Sequence, residues 1–254
     1  MARRVPEGPP PPPIVQRVRL RYAKRGRLRF TSHRDFARAF ERALRRGNVP
    51  MAYSAGFSPH PKISYLGAAP TGVASEAEYL EIGLSTRMEV EEVRTRIDEA
   101  LPDGLDIVEA VESAGGSLAE QMQASSWEIQ LPGVTQTQAR AAVEAFLAES
   151  EVPVERLTKD GRRTIDARGA VLAATVHGAP AEPDDENRAI LALVVRQETP
   201  AVRPDDVLAA LRSVAGLALA LPPLAVRLAQ GPLDESGVIG DPLAADRAAR
   251  QSDS

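Results

Sequence analysis

Cysteine is absent from all 254 residues. That removes disulfides, thiolate zinc sites, a cysteine nucleophile and a cysteine-held iron–sulfur cluster together. Lysine is nearly missing too, at Lys24, Lys62 and Lys159 only, so arginine carries almost all of the positive charge. Aromatic residues make up 4% of the chain, with a single tryptophan. No apolar run approaches the roughly 20 residues that span a bilayer, and the opening segment lacks the apolar stretch of a secretory signal. A cytoplasmic protein with its own hydrophobic core is the expectation.

Two further absences narrow the chemistry. The only histidines are His33, His60 and His177, and no two of them have the i,i+4 spacing of a helical metal site, so no metal is expected. The stretch Ser54-Ala-Gly-Phe57 lacks the second glycine and the lysine of a phosphate loop, which argues against nucleotide hydrolysis. No cofactor is expected of the chain itself.

What is present is a strong charge polarity. Residues 1–64 hold 15 arginines and lysines against Glu7, Asp35 and Glu41, leaving 16 of the chain's 31 basic residues and 32 of its 35 acidic ones for the rest. The front carries +12 and the remainder −16, which points to an anionic partner for the front. The competing expectation is that the two parts neutralise each other.

Residues 1–13 end in five prolines and read as a disordered lead-in. Arg17-Val-Arg-Leu-Arg-Tyr22 alternates as a strand with arginines on one face, and Arg27-Leu-Arg-Phe30 reads as a second leg or continuation after a turn at residues 24–26. Thr31 or Ser32 caps a helix whose stripe of Phe36, Phe40 and Leu44 faces inward, with Gly47 as its stop. Arg34, Arg38, Arg42, Arg45 and Arg46 lie opposite that stripe. An irregular loop rich in Gly, Pro and aromatics follows from residue 53 to 65, and then come a strand at 78–84, a helix at 90–101 and a strand at 105–111.

This order is the βαββαβ of a ferredoxin-like sandwich over residues 14–112. After a linker at 113–126 it recurs over 127–233, with a hairpin of legs 152–157 and 164–176 around Lys159-Asp-Gly-Arg162. Residues 234–254 read as a disordered tail. The fold class expected is therefore α+β, two tandem ferredoxin-like halves similar in layout to CRISPR RNA-processing proteins.

The candidate ligand face is cationic and partly aromatic. Arg29, His33, Arg34, Arg38, Arg42, His60 and Lys62 can hold phosphates, and Tyr53, Phe57 and Tyr65 can stack on unpaired bases. Lys159, Arg162 and Arg163 form a possible second basic finger. His33 and His60 are also the weak candidates for acid–base work in a metal-independent ribonuclease, with Lys62 or Arg34 steadying the phosphorane.

Three motifs carry a resemblance: Gly26-Arg-Leu-Arg-Phe-Thr-Ser-His-Arg-Asp-Phe36, Arg38-Ala-Phe-Glu-Arg-Ala-Leu-Arg-Arg46 and Tyr53-Ser-Ala-Gly-Phe-Ser-Pro-His-Pro-Lys-Ile-Ser64. They resemble the radical-SAM-linked, or radical-SAM-associated, family of bacterial proteins of unknown function, a likeness that continues through Ser75–Glu81 and more loosely to about residue 230. Ser58 departs from it, since the family often has Asn there. The resemblance implies a separate radical-SAM enzyme as partner, with this chain as a non-catalytic accessory. RNA, either tRNA or rRNA, is the ligand expected from charge and fold. A protein–protein docking module is the alternative, and an RNA-processing nuclease the third reading.

Overall fold

The computed structural model describes residues 11–158, 161–178 and 188–252. The proline-rich lead-in thus lies almost wholly outside the described residues, and so does the Lys159-Asp160 tip of the hairpin. The chain is mixed α/β and divides into two compact units, one made of residues 1–119 together with 242–254, the other of residues 120–241.

In the first unit, β1 (Gln16–Lys24) lies between β3 (Ala74–Leu84) and β4 (Leu105–Glu112), and β2 (Ile63–Leu66) pairs with the far side of β3, every pairing antiparallel. The sheet order is β4-β1-β3-β2. Helices α1 (His33–Arg46) and α2 (Val90–Asp98) connect these strands. Strand alternation places Val18, Leu20 and Tyr22 in the core with Leu80 and Ile82, where the α1 stripe of Phe36, Phe40 and Leu44 meets them. Tyr22 and Phe36 stack with centroids 4.3 Å apart.

The start of α1 follows its expected chemistry: Ser32 Oγ accepts a hydrogen bond from the Asp35 amide at 3.2 Å. Its end does not. Gly47 has φ −74°, and the left-handed residue is Asn48 at φ 49°. Gly47 is needed for proximity instead, because a Cβ there would lie 2.8 Å from the backbone oxygen of Arg96 on α2. Gly47→Ala should therefore push α1 and α2 apart and destabilise the protein by about 1–3 kcal/mol. A urea unfolding midpoint equal to that of the wild type would contradict this.

Two readings from sequence are corrected here, and the charge of β1 is accounted for. Residues 26–30 form a short 3-10 helix (Gly26–Phe30), not a strand, because Leu28 and Thr31 amides donate to the carbonyls of Arg25 and Leu28 three residues back. The arginines of β1 are paired with acids. Arg17 and Arg19 pair with Glu81, Arg21 with Glu109, and Arg19 is 4% exposed. Finally, the tail contains a helix, α5 (Ala244–Ser252), whose Asp246 takes both of its oxygens to Arg19 at 2.9 and 3.0 Å. Small and polar residues hid this helix, since ion pairs of Asp246 with Arg19, Arg247 with Glu109 and Arg250 with Glu89, together with the buried Leu243, attach it.

The second unit orders its main strands β10-β5-β9-β8, again all antiparallel, from β5 (Ala124–Pro132), β8 (Val171–Gly178), β9 (Arg188–Arg196) and β10 (Leu224–Gly231). Helices α3 (Gln136–Ala148) and α4 (Pro204–Ala215) bury Phe146, Val207 and Leu211. The expected linker at 113–126 is shorter, since β5 already begins at Ala124. The expected hairpin differs as well. Residues 164–176 do not form one leg: β6 (Pro153–Thr158) and β7 (Gly161–Asp166) make a separate two-stranded sheet, and β8 joins β9. Asp166 produces the break, its carboxylate accepting from the amides of Val152, Arg168 and Gly169. Among the described residues, no helix is long and apolar enough to cross a membrane.

Candidate nucleic-acid interface

Helix α1 carries the candidate cations, and its sequence explains why they face outward. Because Phe36, Phe40, Ala43 and Leu44 face the sheet, the 3.6-residue period turns Arg34, Arg38, Arg42, Arg45 and Arg46 to solvent, and all five are exposed. Arg38 has Asp35 at 3.8 Å and Arg45 has Glu41 at 3.9 Å, exposed pairs near the limit of contact that neutralise little. Arg34, Arg42 and Arg46 form no ion pair among the described residues. The helix thus presents a row of guanidinium groups to solvent.

The row runs beside β2 and the loop that precedes it. Near the start of α1, the exposed His33 ring meets Tyr65 of β2 edge-on at 5.1 Å. Toward its end, Tyr53 and Pro61 share a small cleft with Glu41, Leu44 and Arg45. The loop itself is pinned at its base: Tyr53 bridges Pro61, the Ser54 amide donates to the His60 carbonyl at 2.8 Å, and the His60 amide donates to Ser54 Oγ at 3.0 Å. Its tip bears Phe57, 71% exposed, after Gly56 at φ 136°, a conformation that favours glycine. The Lys62 backbone is tied to Ala52 and Gly83, which leaves its side chain exposed and without an ion pair among the described residues.

Of the residues expected at the ligand face, His33, Arg34, Arg38 and Arg42 thus lie on α1, Tyr53 and Phe57 on the loop, and His60 and Lys62 at its exit, all in the first unit. Tyr65 departs from the stacking expectation. It is half-buried against Phe36 and Phe40, and its hydroxyl is buried without a hydrogen-bond partner. Burial, with Glu41 adding repulsion, holds that hydroxyl neutral well above the usual phenol range. Arg162 and Arg163 are exposed on β7 of the second unit, Arg162 paired with Glu155 at 2.9 Å. Lys159 lies outside the described residues.

Two other cations of the basic segment are committed internally. Lys24 donates to the carbonyls of Ala69 and Pro70, and Arg25 pairs with Glu76 and Asp106. Neither imidazole of His33 or His60 is hydrogen-bonded to a side chain among the described residues, so neither has the orienting partner typical of a general base. No group of three potential metal ligands occurs among the described residues.

Sequence reasoning missed Phe30. Alternation with Leu28 read it as one face of a strand, whereas the 3-10 turn leaves it 59% exposed immediately before α1. Arg29, half-buried in the same turn, lays its guanidinium carbon 4.8 Å from the Phe30 ring centroid. The signal that could have found it is spacing: only six residues lie between Arg25 and the Ser32 cap, too few for an independent strand that must also turn into the helix.

A family model described as "Uncharacterized protein conserved in bacteria (DUF2344)" matches residues 17–204, which includes α1, the loop and most of both units. No curated protein matches the chain. Among solved structures, an unknown protein from Galdieria sulphuraria is similar at 12% identity over 86% of this chain and 99% of its own, with a TM-score of 0.25.

Proposed function

We propose that this chain, which belongs to the DUF2344 family of bacterial proteins, is a non-catalytic accessory protein that binds RNA through α1 and the loop at residues 53–62. The observation that carries the reading is the exposed row of Arg34, Arg38, Arg42 and Arg46, which no internal acid neutralises closely although the chain as a whole is acidic. A solvated helix face needs charge, but mixed charge serves solubility as well; a nearly single-signed row beside Lys62 and His60 suits a polyanion. Asp246, near the C-terminus, is spent on Arg19 of β1.

Fold supports the same reading at the level of analogy. We take the order β4-β1-β3-β2, and its counterpart β10-β5-β9-β8, as two ferredoxin-like sandwiches, the second with β6 and β7 inserted. Such folds host many functions, so the site and not the fold carries the argument. A radical-SAM enzyme on a separate chain is the partner we propose, on the likeness of residues 26–64 to proteins linked to such enzymes; this chain would present tRNA or rRNA to it. The nuclease reading has no oriented base to support it.

Binding of the wild-type protein to total tRNA, titrated across salt concentrations, tests the reading. Affinity should fall with a log–log slope of about −2 to −3.6, the value for three or four phosphate contacts at about 0.7 to 0.9 each. A flat salt dependence, or no binding at low salt, would reject it. Retention of a radical-SAM enzyme after nuclease treatment, in the absence of RNA affinity, would instead favour a docking module.

A further inference from the structure

We propose that the Phe30 ring, backed by Arg29, is a stacking platform for an unpaired nucleobase, so that the RNA this protein takes is single-stranded at the contact. The proposal rests on the reading above and adds the ligand's conformational class to it.

An exposed phenylalanine alone is ordinary. Phe30 differs in being held. The Arg29 carbonyl on one side of it accepts the Gly72 amide at 2.8 Å, and the Thr31 amide on the other donates to the Leu28 carbonyl at 2.9 Å. A Cβ on Gly72, at φ 93°, would sit 3.9 Å from the ring, so the backbone of that turn already lies against it. The Arg29 guanidinium packs on the ring while its Nε is buried with no hydrogen-bond partner, so stacking on Phe30 stands in for the hydrogen bonds this group would make in water. Together these immobilise an aromatic surface before any ligand arrives, and the ordering cost of binding falls accordingly.

Position supplies the ligand's chemistry. Phe30 lies two residues before the Ser32 cap and four before Arg34, where the cationic row of α1 begins. A base on the ring would put its backbone phosphates next to that row. Only an unstacked base offers its face, because in a duplex both faces are covered by neighbours; aromatic platforms with basic tracks are the recurrent arrangement for single strands. A protein partner fits less well, since the exposed residues nearest the ring in sequence, Arg27, His33 and Arg34, are charged or polar rather than apolar.

The test uses the full chain with a labelled oligoadenylate, single-stranded and annealed to its complement, against wild type, Phe30→Leu and Phe30→Tyr. The wild type should prefer the single strand. Phe30→Leu, with apolar volume but no π face, should lose about 5- to 100-fold on the single strand with an unchanged salt slope, and Phe30→Tyr should retain near wild-type affinity. Far-ultraviolet circular dichroism of each variant checks folding, which an exposed side chain should not disturb. If the wild type binds both forms alike and Phe30→Leu matches it, the stacking proposal fails while the RNA reading stands. If the wild type binds neither form, both fail.

Discussion

Replacing Asp246 by alanine is expected to destabilise the first unit by about 3–5 kcal/mol, the usual cost of stranding one partner of a buried ion pair. Arg19 is 4% exposed and Asp246 2%. The arginine is fully engaged: Nε to Glu81, one terminal nitrogen to both Asp246 oxygens, the other to the carbonyls of Gly115 and Gly116 at 2.8 Å. Asp246 also accepts the Ala114 amide at 2.8 Å. Alanine at 246 leaves a guanidinium in the interior short of one counter-charge, and α5 loses its buried polar contact while keeping the more exposed pairs of Arg247 with Glu109 and Arg250 with Glu89.

Thermal unfolding followed by circular dichroism should fall by about 10 °C, at about 2–4 °C per kcal/mol. Hydrogen exchange should quicken in β1 and α5 before other elements. Combining Arg19→Met with Asp246→Leu removes both charges and should recover much of the loss, because desolvating the pair offsets most of its attraction. A single variant within about 2 °C of wild type would mean that α5 contributes little to the first unit.

The second large effect concerns binding. Arg34→Ala, Arg38→Ala and Arg42→Ala combined should weaken RNA binding about 100-fold near 0.1 M salt and reduce the magnitude of the salt slope by about 2, since each phosphate contact contributes about 0.7 to the slope on a single strand. Loss should be similar across RNA sequences, as expected for contacts to the backbone. The three side chains are exposed and lie away from the Phe36–Leu44 stripe, so stability should change by no more than about 0.5 kcal/mol per site. Unaltered affinity in the triple variant, with tRNA binding intact, would move the interface elsewhere, for instance to Arg162 and Arg163 on β7.

Much of α1 was legible before any coordinates. Its cap, its apolar stripe and its arginine row are all properties of local order: a hydroxyl before the first turn, large apolar residues every four positions, and charge in between. The β5 strand and α3 were legible for the same reason, and Thr135 with Gln138 does form the reciprocal cap that this spacing announces. The failures share a cause as well. Gly47 looked like a left-handed stop, but the backbone of α2 dictates glycine there, a fact held by Arg96 some fifty positions away in the chain.

The same division holds for charge. Composition alone determined that the front of the chain is cationic and that thiol chemistry lies outside its means. Which arginines stay available was decided only by tertiary contacts. Arg17, Arg19 and Arg21 alternate in the sequence as freely as those of α1, yet Glu81, Glu109 and Asp246 reach them across strand pairs and from the far end of the chain. Periodicity records which side of an element a residue occupies. It holds no record of what covers that side, because the covering groups come from distant segments brought close by folding, and this is why the β1 arginines are taken up by acids while Phe30 stands exposed.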